Sequence, residues 1–163
     1  MKILANDGIS QSGIDLLEKA NFEVITTKVA QNQLENFINE HGIDALLVRS
    51  TTQVQQELLD ACPSIKLIGR GGIGMDNIDV SYAIDNGLHV INTPTASANA
   101  VAELVFAHLF GMARFLHASN REMPLEGDHY FKELKKTYAA GIELRGKKLG
   151  IIGFGNIGQA VAK

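Results

Sequence analysis

The sequence predicts an α/β fold built on a parallel sheet with helices on both faces. Three observations predict it. Short β-type runs alternate with amphipathic helical stretches over residues 1–91. The run Ala45–Val48 is apolar throughout, as a strand covered on both faces requires. Near the end, Lys148–Ile152 reads as a strand that opens into Gly153-Phe154-Gly155-Asn156-Ile157-Gly158 and then a helix-compatible Gln159-Ala160-Val161-Ala162.

The elements follow in order. Lys2–Asn6 is a strand, and Ser10–Ala20 a helix with Ile14, Leu16 and Leu17 inward. Phe22–Thr26 is a second strand, and Gln33–His41 a helix carrying Leu34, Phe37 and Ile38. After strand Ala45–Val48, Val54–Ala61 reads as a helix that Pro63 stops, and Ile65–Ile68 is the next strand. Val80–Asn86 is a short helix closed by Gly87, and Leu88–Ile91 a fifth strand. Beyond Pro94 the pattern changes. A long helix over about Asn99–His117 is apolar around most of its circumference and so must bury more than one face. Ser119–Gly146 is polar and turn-rich, with one short helix at Tyr130–Lys136. A domain boundary is expected near residues 92–98, giving units 1–96 and 97–163.

Composition narrows the function classes. The 163 residues are 45% hydrophobic and 20% charged, with a net charge of −3, an ordinary soluble balance. No basic face is in prospect, so no nucleic-acid partner is expected. The most apolar run, Val101–Leu116, carries Glu103, His108 and Arg114, so no membrane partner is expected either. The start turns polar at once, unlike a secretory signal. The one cysteine, Cys62, reads as a structural thiol in a reducing compartment, which points to the cytoplasm. The histidines show no metal-ligand spacing, so no metal is expected, and His108 reads as a core or interface residue. No Gly-x-Ser-x-Gly elbow exists for a serine nucleophile. The run Lys132, Lys135, Lys136 reads as a solvated helix face.

In an open parallel sheet, ligands bind beyond the carboxyl ends of the strands. Arg49-Ser50-Thr51-Thr52, Gly69-Arg70-Gly71-Gly72-Ile73-Gly74 and Asn92-Thr93-Pro94-Thr95-Ala96-Ser97 each follow a strand. Two arginines, several hydroxyls and a glycine loop therefore meet on one edge. Arginine offers bidentate, charge-assisted hydrogen bonds to carboxylate or phosphate, and glycine lets the backbone approach closely. The alternative is that Arg49 and Arg70 merely pair with surface carboxylates. In the second glycine loop, Gly153 permits the tight turn, Gly155 admits a pyrophosphate, and Gly158 allows close helix–strand packing, with the phosphates at the start of the helix near Asn156. The alternative there is a plain glycine-rich βα turn.

VRSTT at 48–52, GRGGIGMDNID at 69–79, GLHVINTPTASANAVAEL at 87–104 and LRGKKLGIIGFGNIG at 144–158 together resemble the amino-terminal half of a D-isomer-specific 2-hydroxyacid dehydrogenase. Among its members, the likeness is greatest to those acting on 3-phosphoglycerate in serine biosynthesis. The resemblance implies a flavodoxin-like, doubly wound parallel sheet at 1–96 that binds substrate. It implies at 97–163 the start of an NAD-binding Rossmann domain, with a homodimer or higher homo-oligomer formed through the long helix. It implies an NAD-dependent oxidoreductase and places Arg49, Ser50, Arg70, Gly71, Gly72 and Gly74 against the acidic substrate. Ser97 stands where relatives often carry asparagine, as a further substrate contact. Ile73 would border the nicotinamide, with Gly153, Gly155, Asn156, Ile157 and Gly158 at the pyrophosphate.

The acidic residue that grips the ribose would lie ~20 residues past the second glycine loop, and the family's catalytic arginine, glutamate and histidine later still. The sequence is therefore expected to be a truncated part, holding no catalytic residue and inactive alone. Two other readings stand beside this one. One is a relative acting on glyoxylate, hydroxypyruvate or another D-2-hydroxy acid, and the other a non-catalytic anion-binding module.

Overall fold

The computed structural model describes all residues, 1–163. The chain divides into two compact units, Met1–Pro94 and Thr95–Lys163.

The first unit alternates strand and helix: β1 (Lys2–Ala5), α1 (Gln11–Lys19), β2 (Glu23–Ile25), a 3-10 turn at Gln31–Gln33, α2 (Leu34–His41), β3 (Ala45–Val48), α3 (Gln56–Ala61), β4 (Leu67–Arg70), α4 (Val80–Asp85) and β5 (His89–Asn92). All strand pairs are parallel, in the order β2-β1-β3-β4-β5. That is the flavodoxin-like order, in which the direction of winding across the sheet switches between β1 and β3. The expected doubly wound sheet is present.

Local chemistry sets the helix ends. Ser10 accepts a hydrogen bond from the Gly13 N–H at the start of α1, and Asp79 caps α4 through the Tyr82 N–H. Gly42 closes α2 in the left-handed region at φ 61°, where a side chain would be strained. Leu4, Leu34, Ile38, Ile43, Leu46, Val54, Cys62 and Ile68 are fully buried in one core. Burying each large apolar side chain contributes about 1.5–3 kcal/mol.

Three expectations in this unit are corrected. Leu16 does not point inward; it is exposed, because Ile14 and Leu17 share a helical face from which Leu16 is turned away. The fourth strand begins at Leu67 rather than Ile65. Lys66 and Leu67 both donate to the Asp44 carbonyl, so pairing with β3 starts at Ala45–Leu67 and carries Gly69 and Arg70 into the strand. A Cβ at Gly69 would stand 2.6 Å from Leu47 Cδ2, so a larger residue there would have to displace that side chain. Val54 joins a short parallel bridge to Ile78 instead of opening a helix.

The second unit holds α5 (Ala98–Ala113), α6 (Leu116–Tyr138) and α7 (Asn156–Ala162), with α5 packed against both others. No single helix is long and apolar enough to cross a membrane. The expected helix to His117 ends early. Phe115 sits in the left-handed region at φ 55°, and the axis bends by 53° into α6. Residues 116–138 are helical, not turn-rich with one short helix. Arg121, Glu122, Met123, Leu125, Glu126 and Lys132–Lys136 supply strong helix formers that carry α6 past Pro124, and a kink at the non-helical Tyr130 divides it into two helical segments.

Helix α5 does not bury more than one face: Ala98 and Ala102 are buried, whereas Leu104, Phe110 and Met112 are over half exposed, and His108 is exposed too. Residues 148–152 form no strand. A strand needs a ladder partner, and this unit contains no other strand; Ile152 is wholly exposed.

Candidate functional site

Beyond the carboxyl ends of β1, β3, β4 and β5 lies a cavity of about 730 Å³. Asp7, Ser10, Arg49, Arg70, Gly71 and Thr93 line it, over a floor that includes Leu47, Val48 and Ile91. Arg49 and Arg70 thus share one hollow because β3 and β4 are neighbours paired Val48 to Arg70.

Neither arginine forms an ion pair. The chain's two ion pairs, Lys2–Glu23 and Lys66–Asp44, lie elsewhere. The alternative in which both arginines are neutralised by surface carboxylates is therefore absent from the structure. Arg70 also holds a buried Nε–H without a hydrogen-bond partner, a donor that is unfavourable to leave unmade.

The glycines contribute room more than donors. The Gly71 N–H donates to the Val48 carbonyl at 2.8 Å, and the Gly72 N–H to the Arg70 carbonyl at 3.0 Å. A Cβ on Gly71 would stand 3.6 Å from Arg49 Cγ, and one on Gly72 would stand 2.0 Å from Arg70 Nη1. Each arginine thus runs across a bare backbone. Beside them, Thr93 donates its N–H to the Gly72 carbonyl at 3.1 Å and Asn92 its side-chain amide to the Ile73 carbonyl at 2.8 Å, tying β5 to the glycine loop.

The loop after β3 is held by residues that the sequence did not single out. Asp7 Oδ2 accepts from the N–H groups of Arg49 (2.8 Å), Thr51 (3.3 Å) and Thr52 (3.1 Å), and Oδ1 from the Thr52 hydroxyl (2.8 Å). Asn77 donates to the carbonyls of Arg49 (3.0 Å) and Thr52 (2.7 Å). Buried Asn6 bridges the Val29 backbone and the Thr52 hydroxyl. Burial pushes the Asp7 pKa up, but the hydrogen bonds from Arg49, Thr52 and Thr51 together bring it below the ordinary 3.8. A signal existed in the sequence: two polar residues, Asn6 and Asp7, directly follow the first apolar strand.

The remaining expected positions separate. Ser50, Ile73 and Gly74 are exposed in the loops beside the cavity, outside its lining. Ser97 precedes α5 in the second unit and makes no side-chain cap. Gly153, Gly155, Asn156, Ile157 and Gly158 also belong to the second unit. Gly153 takes φ 90°, Gly155 precedes α7, and a Cβ on Gly158 would stand 2.2 Å from the Gly153 carbonyl oxygen. The third glycine thus packs directly on the first, while Gly155 faces open space.

A flavodoxin-like sheet with a cationic hollow at its carboxyl edge, followed in sequence by a glycine turn that opens a helix, defines a doubly wound α/β protein. The chain belongs to the D-isomer specific 2-hydroxyacid dehydrogenase family, whose catalytic domain matches residues 3–144. It is 40% identical to the hydroxypyruvate reductase of Thermotoga maritima, over 99% of this chain and 51% of that protein. It is 37% identical to the D-3-phosphoglycerate dehydrogenase of Methanocaldococcus jannaschii, over 100% of this chain and 30% of that protein. Among solved structures, an acyclic imino acid reductase in complex with NADPH and D-Arg aligns with TM-score 0.76 and 28% identity, over 99% of this chain and 52% of that one. The chain spans about half the length, or less, of the curated relatives it matches.

Proposed function

We propose that residues 1–96, with Ser97 at their border, hold the substrate of an NAD-dependent D-2-hydroxyacid dehydrogenase, and that residues 97–163 begin its NAD-binding part. The proposed reaction of the whole protein is that of D-3-phosphoglycerate dehydrogenase in serine biosynthesis: oxidation of 3-phosphoglycerate to 3-phosphohydroxypyruvate by hydride transfer. One observation carries this reading: Arg49 and Arg70 face one hollow without any carboxylate partner. Two guanidinium groups suit a substrate with anionic oxygens at both ends, carboxylate and phosphate.

The glycine turn fits a dinucleotide. Gly155 has nothing within 4 Å of where its Cβ would stand, so a pyrophosphate could approach the backbone closely there, with Asn156 and Ile157 beside it. When bound, the nicotinamide supplies the hydride acceptor. The residues of this chain bind and orient; none of them is assigned the proton transfer, so the chain alone is expected to be inactive. Exposed Leu104, Phe110 and Met112 on α5 support a homodimer or higher homo-oligomer formed through that helix. A cytoplasmic location accords with the one buried thiol.

The second reading is reduction of hydroxypyruvate or glyoxylate, favoured by the 40% identity to a hydroxypyruvate reductase. Steady-state kinetics of the whole protein on 3-phosphoglycerate, hydroxypyruvate and glyoxylate, with NAD(H) and NADP(H), separates the two. A higher kcat/KM for 3-phosphoglycerate than for D-glycerate is expected, and no advantage would overturn the phosphate assignment. NAD-linked turnover by this chain alone would contradict its assigned role, as would anion binding without any turnover by the whole protein.

A further inference from the structure

Resting on the substrate-holding role just proposed, we propose that Asp7 is a positioning residue for the Arg49–Thr52 loop, with Asn77 as its counterpart on the carbonyl side. An anion on the rim of an anion-receiving cavity is at first sight misplaced, since its charge opposes that of the substrate. Its lone pairs, however, are turned into the protein. One oxygen gathers the N–H groups of Arg49, Thr51 and Thr52, and the other takes the Thr52 hydroxyl. Asn77 holds the carbonyls of Arg49 and Thr52 from the segment after β4.

The backbone at residues 49 and 52 is therefore gripped at both its donor and its acceptor groups by side chains distant in sequence. Asp7 lies 42 residues before Arg49, and Asn77 lies 28 residues after it. No helix or ladder holds this stretch, because β3 ends at Val48. Arg49 thus takes its place above Gly71 from the peptide geometry that Asp7 and Asn77 impose.

The inference separates hydrogen-bond geometry from charge. Asp7→Ala removes four acceptor contacts. Asp7→Asn keeps one oxygen for the three N–H groups and removes the charge. In the whole protein at saturating cofactor, with 3-phosphoglycerate and hydroxypyruvate as the substrates assayed, Asp7→Ala is expected to raise KM by about tenfold with kcat little changed. Asp7→Asn is expected to remain within about threefold of the parent KM. Asn77→Ser, which removes the carbonyl-side donor, is expected to raise KM in the same direction, and it tests the inference should Asp7→Ala fail to fold. Arg49→Ala is the reference.

If Arg49→Ala raises KM and neither Asp7→Ala nor Asn77→Ser does, positioning is overturned while the anion site stands. A fall in kcat and thermal midpoint at constant KM would leave Asp7 a purely structural residue and overturns the inference. An Asp7→Asn variant as impaired as Asp7→Ala would make charge, not geometry, the operative property, and overturns it too. If Arg49→Ala leaves KM unchanged for both substrates, the anion site itself is refuted, and the inference with it.

Discussion

The guanidinium of Arg70 lies across the bare Cα of Gly72, so that a Cβ at position 72 would stand 2.0 Å from Nη1 and 2.8 Å from Cζ. The obstructing atoms are the far end of a flexible side chain, and Gly72 does not occupy the left-handed region. Gly72→Ala should therefore displace Arg70 rather than unfold the domain. The expected outcome is a thermal midpoint within a few degrees of the parent, with affinity for 3-phosphoglycerate weakened by about tenfold, the scale of one lost charge-assisted contact. Calorimetric titration beside a thermal melt checks both halves. Unchanged affinity would show that Arg70 does not hold the acid.

Gly155 and Gly158 should respond in opposite ways to the same substitution. A methyl group on Gly158 meets backbone, 2.2 Å from the Gly153 oxygen and 3.2 Å from its carbon, and no rotamer relieves it. Overpacking of this kind destabilises by about 1–3 kcal/mol. Gly158→Ala should lower the thermal midpoint by several degrees. Gly155→Ala, with open space around it, should leave the midpoint unchanged and weaken only dinucleotide binding. Equal midpoints for the two variants would contradict the close packing at Gly158.

Cys62 should be inert in the folded protein. It is 1% exposed, and burial, reinforced by the Glu35 carboxylate, pushes its thiol up to about 11. At pH 8 only ~0.1% would be thiolate. An aromatic disulfide reagent should find no thiol in native protein and one equivalent in denaturant. Prompt reaction of the native chain would mean that the core around Cys62 opens readily.

Acid should weaken the first unit partly through Asp7. Its folded pKa lies below the ordinary 3.8 and the unfolded value near 4, so its stabilising contribution is fully present above about pH 4. That contribution is lost as pH falls through the folded pKa. Urea midpoints of the parent and of Asp7→Asn should therefore differ most above pH 4 and converge below it. A gap that stays constant as the pH is lowered would show that Asp7 does not titrate with a depressed pKa.

What the sequence could reveal depended on how local the cause was. Ala45–Val48 is read to the residue, because a strand buried on both faces declares itself by composition alone. The fourth strand is misplaced by two residues, since its start is fixed by the Asp44 carbonyl, a partner from another segment. Helix α6 is missed because Ser119, Asn120, Pro124 and Asp128 read as breakers, while the strong formers between them carry the helix with no buried face to mark it. Lys148–Ile152 has the composition of a strand but lacks the neighbour that would make it one. At the candidate site, Arg49 and Arg70 were legible from their place after apolar runs. Asp7 showed only its place after the first apolar strand, and Asn77 no signal, because what they do lies in contacts across 42 and 28 residues of chain.

Those same long-range contacts make recognition an all-or-none property. No isolated peptide carries the cationic hollow, because its parts arrive from β1, β3, β4 and β5 and meet only when the sheet is complete. On the proposed function, an acid bound there would draw on the native population alone and so act as a stabiliser. At a hundredfold excess over Kd the native form would gain about 2.7 kcal/mol.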